Sequence, residues 1–157
     1  MRISTRLAVV AVLTALAGCT NGGAVDTKTE ADVNAIVRQY AEDIRSTIGG
    51  QFTKQGESSM ACTGKLGETS DDVYSVQGAY QITLAPEKQL PTLAQFREQW
   101  KAKGWKITED ETFGENRGKL SASTGDDGYE LNLTTAKTPE WLAVLIYSPC
   151  YKSPTPR

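Results

Sequence analysis

Carboxylates, serines and cysteines supply the chemistry this sequence has to offer, because histidine is absent from it. That absence removes His-based triads, imidazole general bases and the usual zinc and haem ligands. Three acidic clusters remain to be weighed: Asp71-Asp72, Glu109-Asp110-Glu111 and Asp126-Asp127. Carboxylates are hard oxygen ligands suited to calcium. None of the three, however, has the alternating Asp/Asn run and distant Glu of a calcium loop. "TGDDGYE", residues 124–130, reads instead as a turn, since Gly and Asp tolerate the backbone angles a tight reversal needs. Two facing carboxylates could also hydrolyse a glycosidic bond, but no motif singles out a pair among the 19 acids. Serine chemistry has neither a GxSxG elbow nor an SxxK motif, and no glycine-rich phosphate loop occurs. The expectation is no catalytic residue, no metal ligand and no cofactor.

The three cysteines are more informative. Arg2 and Arg6 precede an uncharged aliphatic run from Leu7 to Ala17, about half the length needed to cross a bilayer as a helix. A basic start, a short apolar core and small residues before a cut describe a secretory signal. Leu16-Ala17-Gly18-Cys19 resembles the lipobox of bacterial lipoproteins. The resemblance implies cleavage before Cys19 and a diacylglyceryl group, built from fatty acids such as palmitate, on its thiol. Each buried methylene then contributes about 0.8 kcal/mol to membrane attachment, so two chains anchor the protein without a transmembrane helix. The alternative is an ordinary secreted protein with Cys19 near its cut site. With Cys19 lipidated, Cys62 and Cys150 are left as one pair in an oxidising compartment. They lie far apart and outside any CxxC motif, which favours a structural disulfide over a redox or metal role.

Removing residues 1–18 leaves 139 residues with 15 basic and 19 acidic side chains, the size of a single domain. A mildly acidic surface argues against nucleic acid, which requires a basic stripe. It argues equally against electrostatic binding to anionic lipid, so the membrane partner is reached through the lipid on Cys19.

The elements that would carry these residues can be read from periodicity. Residues 19–28 read as the lipidated N-terminus and a flexible tether, 29–152 as one domain and 153–157 as a disordered tail. Val33, Ile36, Val37, Tyr40, Ile44 and Ile48 form one helical stripe, with Thr29 as cap and Gly49-Gly50 as stop. Residues 51–72 read as loop, with a short strand near Met60 to Thr63. Residues 74–84 alternate strictly, as a half-buried strand does. A second helix is expected from Pro91, with a capping box of Thr92 and Gln95 and Gly104 as its end. Trp105 and Ile107 open another strand, and Lys119–Thr124 and Tyr129–Thr135 flank a hairpin turn at 125–128. Trp141 to Tyr147 is continuously apolar, which predicts a strand buried on both faces. The sum is an α+β domain: an antiparallel sheet of about four to five strands with two amphipathic helices packed on one face. Tyr74, Tyr80, Trp100 and Trp105 are expected to fill the core, and Trp141 to be the most exposed aromatic residue.

With Gly104-Trp105 and Ser148-Pro149-Cys150 added to the lipobox, the chain resembles small lipoproteins common in actinobacteria, most of which have no assigned activity. The resemblance implies a location, the extracytoplasmic face of the cell membrane, rather than a reaction. The reading is a lipid-anchored binding or accessory protein of the envelope, with a protein partner or small ligand. Its rival is a small carboxylate-dependent envelope hydrolase.

Overall fold

The computed structural model describes residues 25–63, 69–136 and 140–155. The signal segment and Cys19 lie outside the described residues. In chain order the elements are α1 (Glu30–Ile48), β1 (Phe52–Thr63), β2 (Thr69–Thr83), α2 (Pro86–Ala102), β3 (Lys106–Thr112), β4 (Gly118–Ser123), β5 (Glu130–Thr135), β6 (Trp141–Tyr147) and β7 (Tyr151–Lys152). Six strands form one antiparallel sheet in the order β1-β2-β6-β5-β4-β3, and the short β7 pairs with β2 beyond the end of β6. The sheet therefore has seven strands, where the sequence reading expects four to five. The α+β class holds, as does the placement of both helices on one face.

The first helix forms as its sequence dictates. Thr29 accepts a hydrogen bond from the Asp32 amide, which satisfies one free donor of the first turn. Gly49 ends the helix in the left-handed region at φ 73°, where a side chain is strained. Val33, Val37, Ala41 and Ile44 are buried against the sheet. The second helix departs from expectation. It starts at Pro86, whose fixed φ suits the first helical position, so Thr92 lies inside the helix, buried, and caps nothing. Leu93, Phe96 and Trp100 form its inner stripe.

The sheet's inner face carries the core. Val76, Ile82, Leu120, Leu131, Leu133, Leu142, Val144 and Ile146 are each 1% exposed or less. β6 alternates rather than being buried throughout: Leu142, Val144 and Ile146 point inward, while Trp141, Ala143, Leu145 and Tyr147 are half-buried on the face that no helix covers. A run of apolar residues hides this period-2 pattern because its outward positions are apolar as well. Trp141, expected exposed, is half-buried.

The largest correction is β1. The sequence suggests loop over residues 51–72 because the inward positions of this edge strand, Gln55, Glu57 and Ser59, are polar and give no hydrophobic period. The strand nevertheless pairs with β2 from Phe52 opposite Ile82 to Ala61 opposite Tyr74. Irregularities at Phe52/Lys54 and Ala61/Thr63 break its register. Cys62 and Cys150 form a disulfide with Cα atoms 6.1 Å apart, as expected.

Order also begins earlier than residue 29. Thr27 bridges Lys152 in parallel, the Lys152 amide donates to the Asp26 carbonyl at 2.8 Å, and the Lys28 amide donates to the Lys152 carbonyl at 3.1 Å. The Tyr74 hydroxyl donates to the Lys28 carbonyl at 2.8 Å. Asp26 to Lys28 thus form a strap along β7. At the other terminus the Ser153 amide donates to the Asp72 carbonyl at 2.7 Å.

Candidate binding groove

The structure separates the acidic clusters that composition groups together. Glu109 bonds Lys119 at 2.6 Å and Ser121 at 3.1 Å on the sheet's uncovered face. Its neighbour Asp110 turns to the other face and pairs with Arg97 of α2. Asp127 accepts from the Tyr40 hydroxyl at 2.5 Å and from Thr124, which fastens the β4–β5 turn to α1. Thr124 in turn accepts from the Tyr129 amide at 2.8 Å. Asp127 is therefore a clasp. No group of three or more Cys, Asp or Glu able to hold a metal occurs among the described residues.

A different set of side chains comes together between α1 and β1. Ala35, Arg38, Gln39 and Glu42 on the helix face Phe52 and Gln55 on β1, with Tyr80 of β2 between them, around a cavity of about 370 Å³. That volume lies within the range of small-molecule sites. Phe52 and Tyr80 stack with ring centroids 5.5 Å apart. The Arg45 guanidinium lies 5.9 Å from the Phe52 centroid, within reach of a cation–π contact.

Behind the groove sits a charged triad. Arg38 meets Glu57 side-on, with Nε to Oε1 at 3.0 Å and Nη2 to Oε2 at 2.8 Å, a bidentate geometry that fixes both groups. The Tyr80 hydroxyl donates to Glu57 Oε1 at 2.6 Å. Glu57's side chain is only 11% exposed, whereas Arg38's is 65% exposed. An inward-pointing carboxylate on an edge strand also discourages that edge from pairing with another chain.

These contacts set the ionisation of each member. The hydrogen bonds from Arg38, and then from Tyr80, hold the Glu57 carboxyl below its ordinary value, against the opposing effect of burial. Burial, then the Glu57 carboxylate, pushes the Tyr80 phenol well above its ordinary value. Hydrogen bonding to Glu57 raises Arg38 further. Near neutral pH the triad is therefore guanidinium, carboxylate and neutral phenol. None of the three can take up or release a proton readily in that range, and two of them, Arg38 and Tyr80, line the cavity together with Phe52.

The pairing has a pH signature. The unfolded chain binds the Glu57 proton more tightly than the folded one, so the stabilisation is complete above the unfolded value of about 4.5 and is lost as pH falls through the lower folded value. Glu57→Gln should flatten that acid limb relative to the parent protein. Urea denaturation across the acid range reads it directly, and identical limbs in the two proteins would remove Glu57 from the account.

Three of the four aromatic residues expected in the core are buried. Tyr74 and Tyr80 share the inner face and are buried, and Trp100 is 2% exposed. Trp105 lies half-buried between Tyr40, at 5.9 Å, and Trp100, at 6.0 Å. A groove between helix and sheet is the natural ligand site of such a fold, but the residues that line this one are not legible in the sequence. Two of its lining residues and the Glu57 carboxylate behind it come from or border on a strand that has no hydrophobic period.

No protein-family model matches the sequence, and no curated protein matches it either. Among solved structures, the chain is similar to the "putative lipoprotein LppA" from Mycobacterium tuberculosis, with 16% identity. The match covers 79% of this chain and 78% of that one, with a TM-score of 0.42. A likeness this distant assigns no function.

Proposed function

We propose that this chain is a lipid-anchored binding or accessory protein of the bacterial cell envelope. In this reading it is exported on residues 1–18, lipidated on Cys19 and held at the extracytoplasmic face of the membrane. The α1–β1 groove takes a protein segment or small ligand. One observation carries the binding half of the reading: the groove's charged groups are locked in a bidentate pair and its phenol is held protonated, beside an open cavity with an aromatic wall. Such a site can recognise aromatic or planar apolar surface together with hydrogen-bonding groups, and it needs no proton transfer to do so. The anchoring half rests on the sequence Leu16-Ala17-Gly18-Cys19.

The test places a photo-crosslinking residue at Gln55, an exposed wall position, in cells carrying the full chain. A recurrent adduct is expected, and it should disappear in Ala35→Trp, which fills the groove from an exposed helix position. An adduct pattern unchanged by that substitution would refute the groove. Cys19→Ala should move the protein out of the membrane fraction, and unchanged fractionation would refute the anchor.

A further inference from the structure

We infer that the end of the domain bearing the β4–β5 turn faces the bilayer, and that the opposite end is held away from it by the shortness of the N-terminal link. The inference rests on the lipidation of Cys19 proposed above. The strap fixes where the chain leaves the domain: Asp26 and Lys28 are hydrogen-bonded to Lys152, which stands opposite Val73 of β2. A cavity of about 540 Å³ lined by Val25, Asp26, Asp126, Gly128, Pro149 and Cys150 puts this exit point beside the β4–β5 turn.

Two lengths then decide the orientation. Only residues 20–25 separate Cys19 from Asp26, and at ~3.5 Å per residue the fully stretched link spans about 25 Å. β2 runs the other way, from Val73 to Thr83, where it meets Trp141 at the far end of the sheet. At ~3.3 Å per residue that distance is about 33 Å. An inverted domain, far end on the bilayer, would need a link longer than the chain provides, and the turns beyond Thr83 widen the gap. The far end, with Gly49-Gly50, Lys88 of α2 and the β3–β4 turn, is thus presented to the envelope space. Tyr80 in the groove lies about 23 Å beyond the Val73 level by the same spacing, toward the end that the short link holds away from the bilayer.

The experiment uses the lipidated protein, purified in detergent and reconstituted into vesicles of phosphatidylcholine and phosphatidylglycerol that carry a headgroup energy acceptor. A donor dye is attached to Asp126→Cys or to Lys88→Cys, both at exposed positions. Transfer to the bilayer should be at least about twofold stronger from the first site, given a height difference on the order of 30 Å. Inserting a long Gly/Ser segment between Gly22 and Gly23 should reduce that difference, because the link then outspans the domain. Equal transfer, stronger transfer from Lys88→Cys, or a difference unchanged by the insertion would overturn the inference. Failure of the protein to associate with vesicles at all would instead overturn the lipidation reading.

Discussion

Serine at both Cys62 and Cys150 should lower the stability of the domain by about 4 kcal/mol and its melting temperature by on the order of 10–15 °C. The two cysteines are 88 positions apart, and closing so long a loop removes much of the freedom of the unfolded chain. The bridge also has a specific structural task. Tyr74 of β2 pairs on one side with Ala61 of β1 and on the other with Tyr151 of β7, so Cys62 and Cys150 flank the same position of β2. The disulfide straps β1, which has a neighbour on one side only, across β2 to the corner between β6 and β7. Without it the last residues of β1 are held by β2 alone, beside an irregularity in the pairing. Loss of amide protection should therefore be greatest in β1. Either single substitution should have nearly the full effect. A double variant melting within about 2 °C of its parent, or two reactive thiols at these positions in the denatured, unreduced protein, would show that the bridge does not form.

How far the fold could be read in advance depended on what each element buries. α1 was legible from its cap to its stop because every turn presents an apolar residue to the sheet and both ends carry residues with one structural use. The hairpin at 125–128 was legible for the same reason, since Gly-Asp-Asp-Gly suits a reversal and both flanks alternate. β1 was not, because it lies at the sheet edge where α1 presents Arg38 rather than a hydrophobe. Its inward residues answer that charge with Glu57 instead of a Leu or Val. The start of α2 is not legible in the sequence because two prolines compete for the first turn, and Thr92 has the sequence context of a cap while being buried against the core. The candidate site suffered from the same blindness. Arg38, Glu57 and Tyr80 lie 19 and 23 residues apart; the β1–β2 register joins Glu57 to Tyr80, and the packing of α1 on the sheet adds Arg38. The disulfide was accessible by contrast, because elimination of other roles left two cysteines to find each other.

Core and groove are coupled through a residue with no side chain. A methyl group at Gly78 would stand 2.4 Å from Val37 Cγ1 and 2.7 Å from Tyr80 Cε2, distances at which something has to move. Glycine at this point of β2 lets α1 approach the sheet closely, which explains a residue otherwise disfavoured in a strand interior. Val37 is fully buried and Tyr80 is 4% exposed, so neither can yield toward solvent. Gly78→Ala should therefore cost about 2–3 kcal/mol, the upper part of the overpacking range. Val37→Ala should cost about 2 kcal/mol by leaving a cavity. Together the two should cost clearly less than their sum, since one methyl occupies the space the others vacate and contacting residues are not additive. Relief should be partial, because the Tyr80 ring still meets the new methyl. Its displacement draws the phenol from Glu57, 2.6 Å away, and changes the wall of the groove. Gly78→Ala is thus expected to weaken any groove-dependent crosslink from Gln55 even in the fraction that remains folded, with Val37→Ala restoring stability better than it restores crosslinking. Strictly additive stabilities, or a Gly78→Ala protein as stable as its parent, would mean that α1 does not seat on β2 at Gly78.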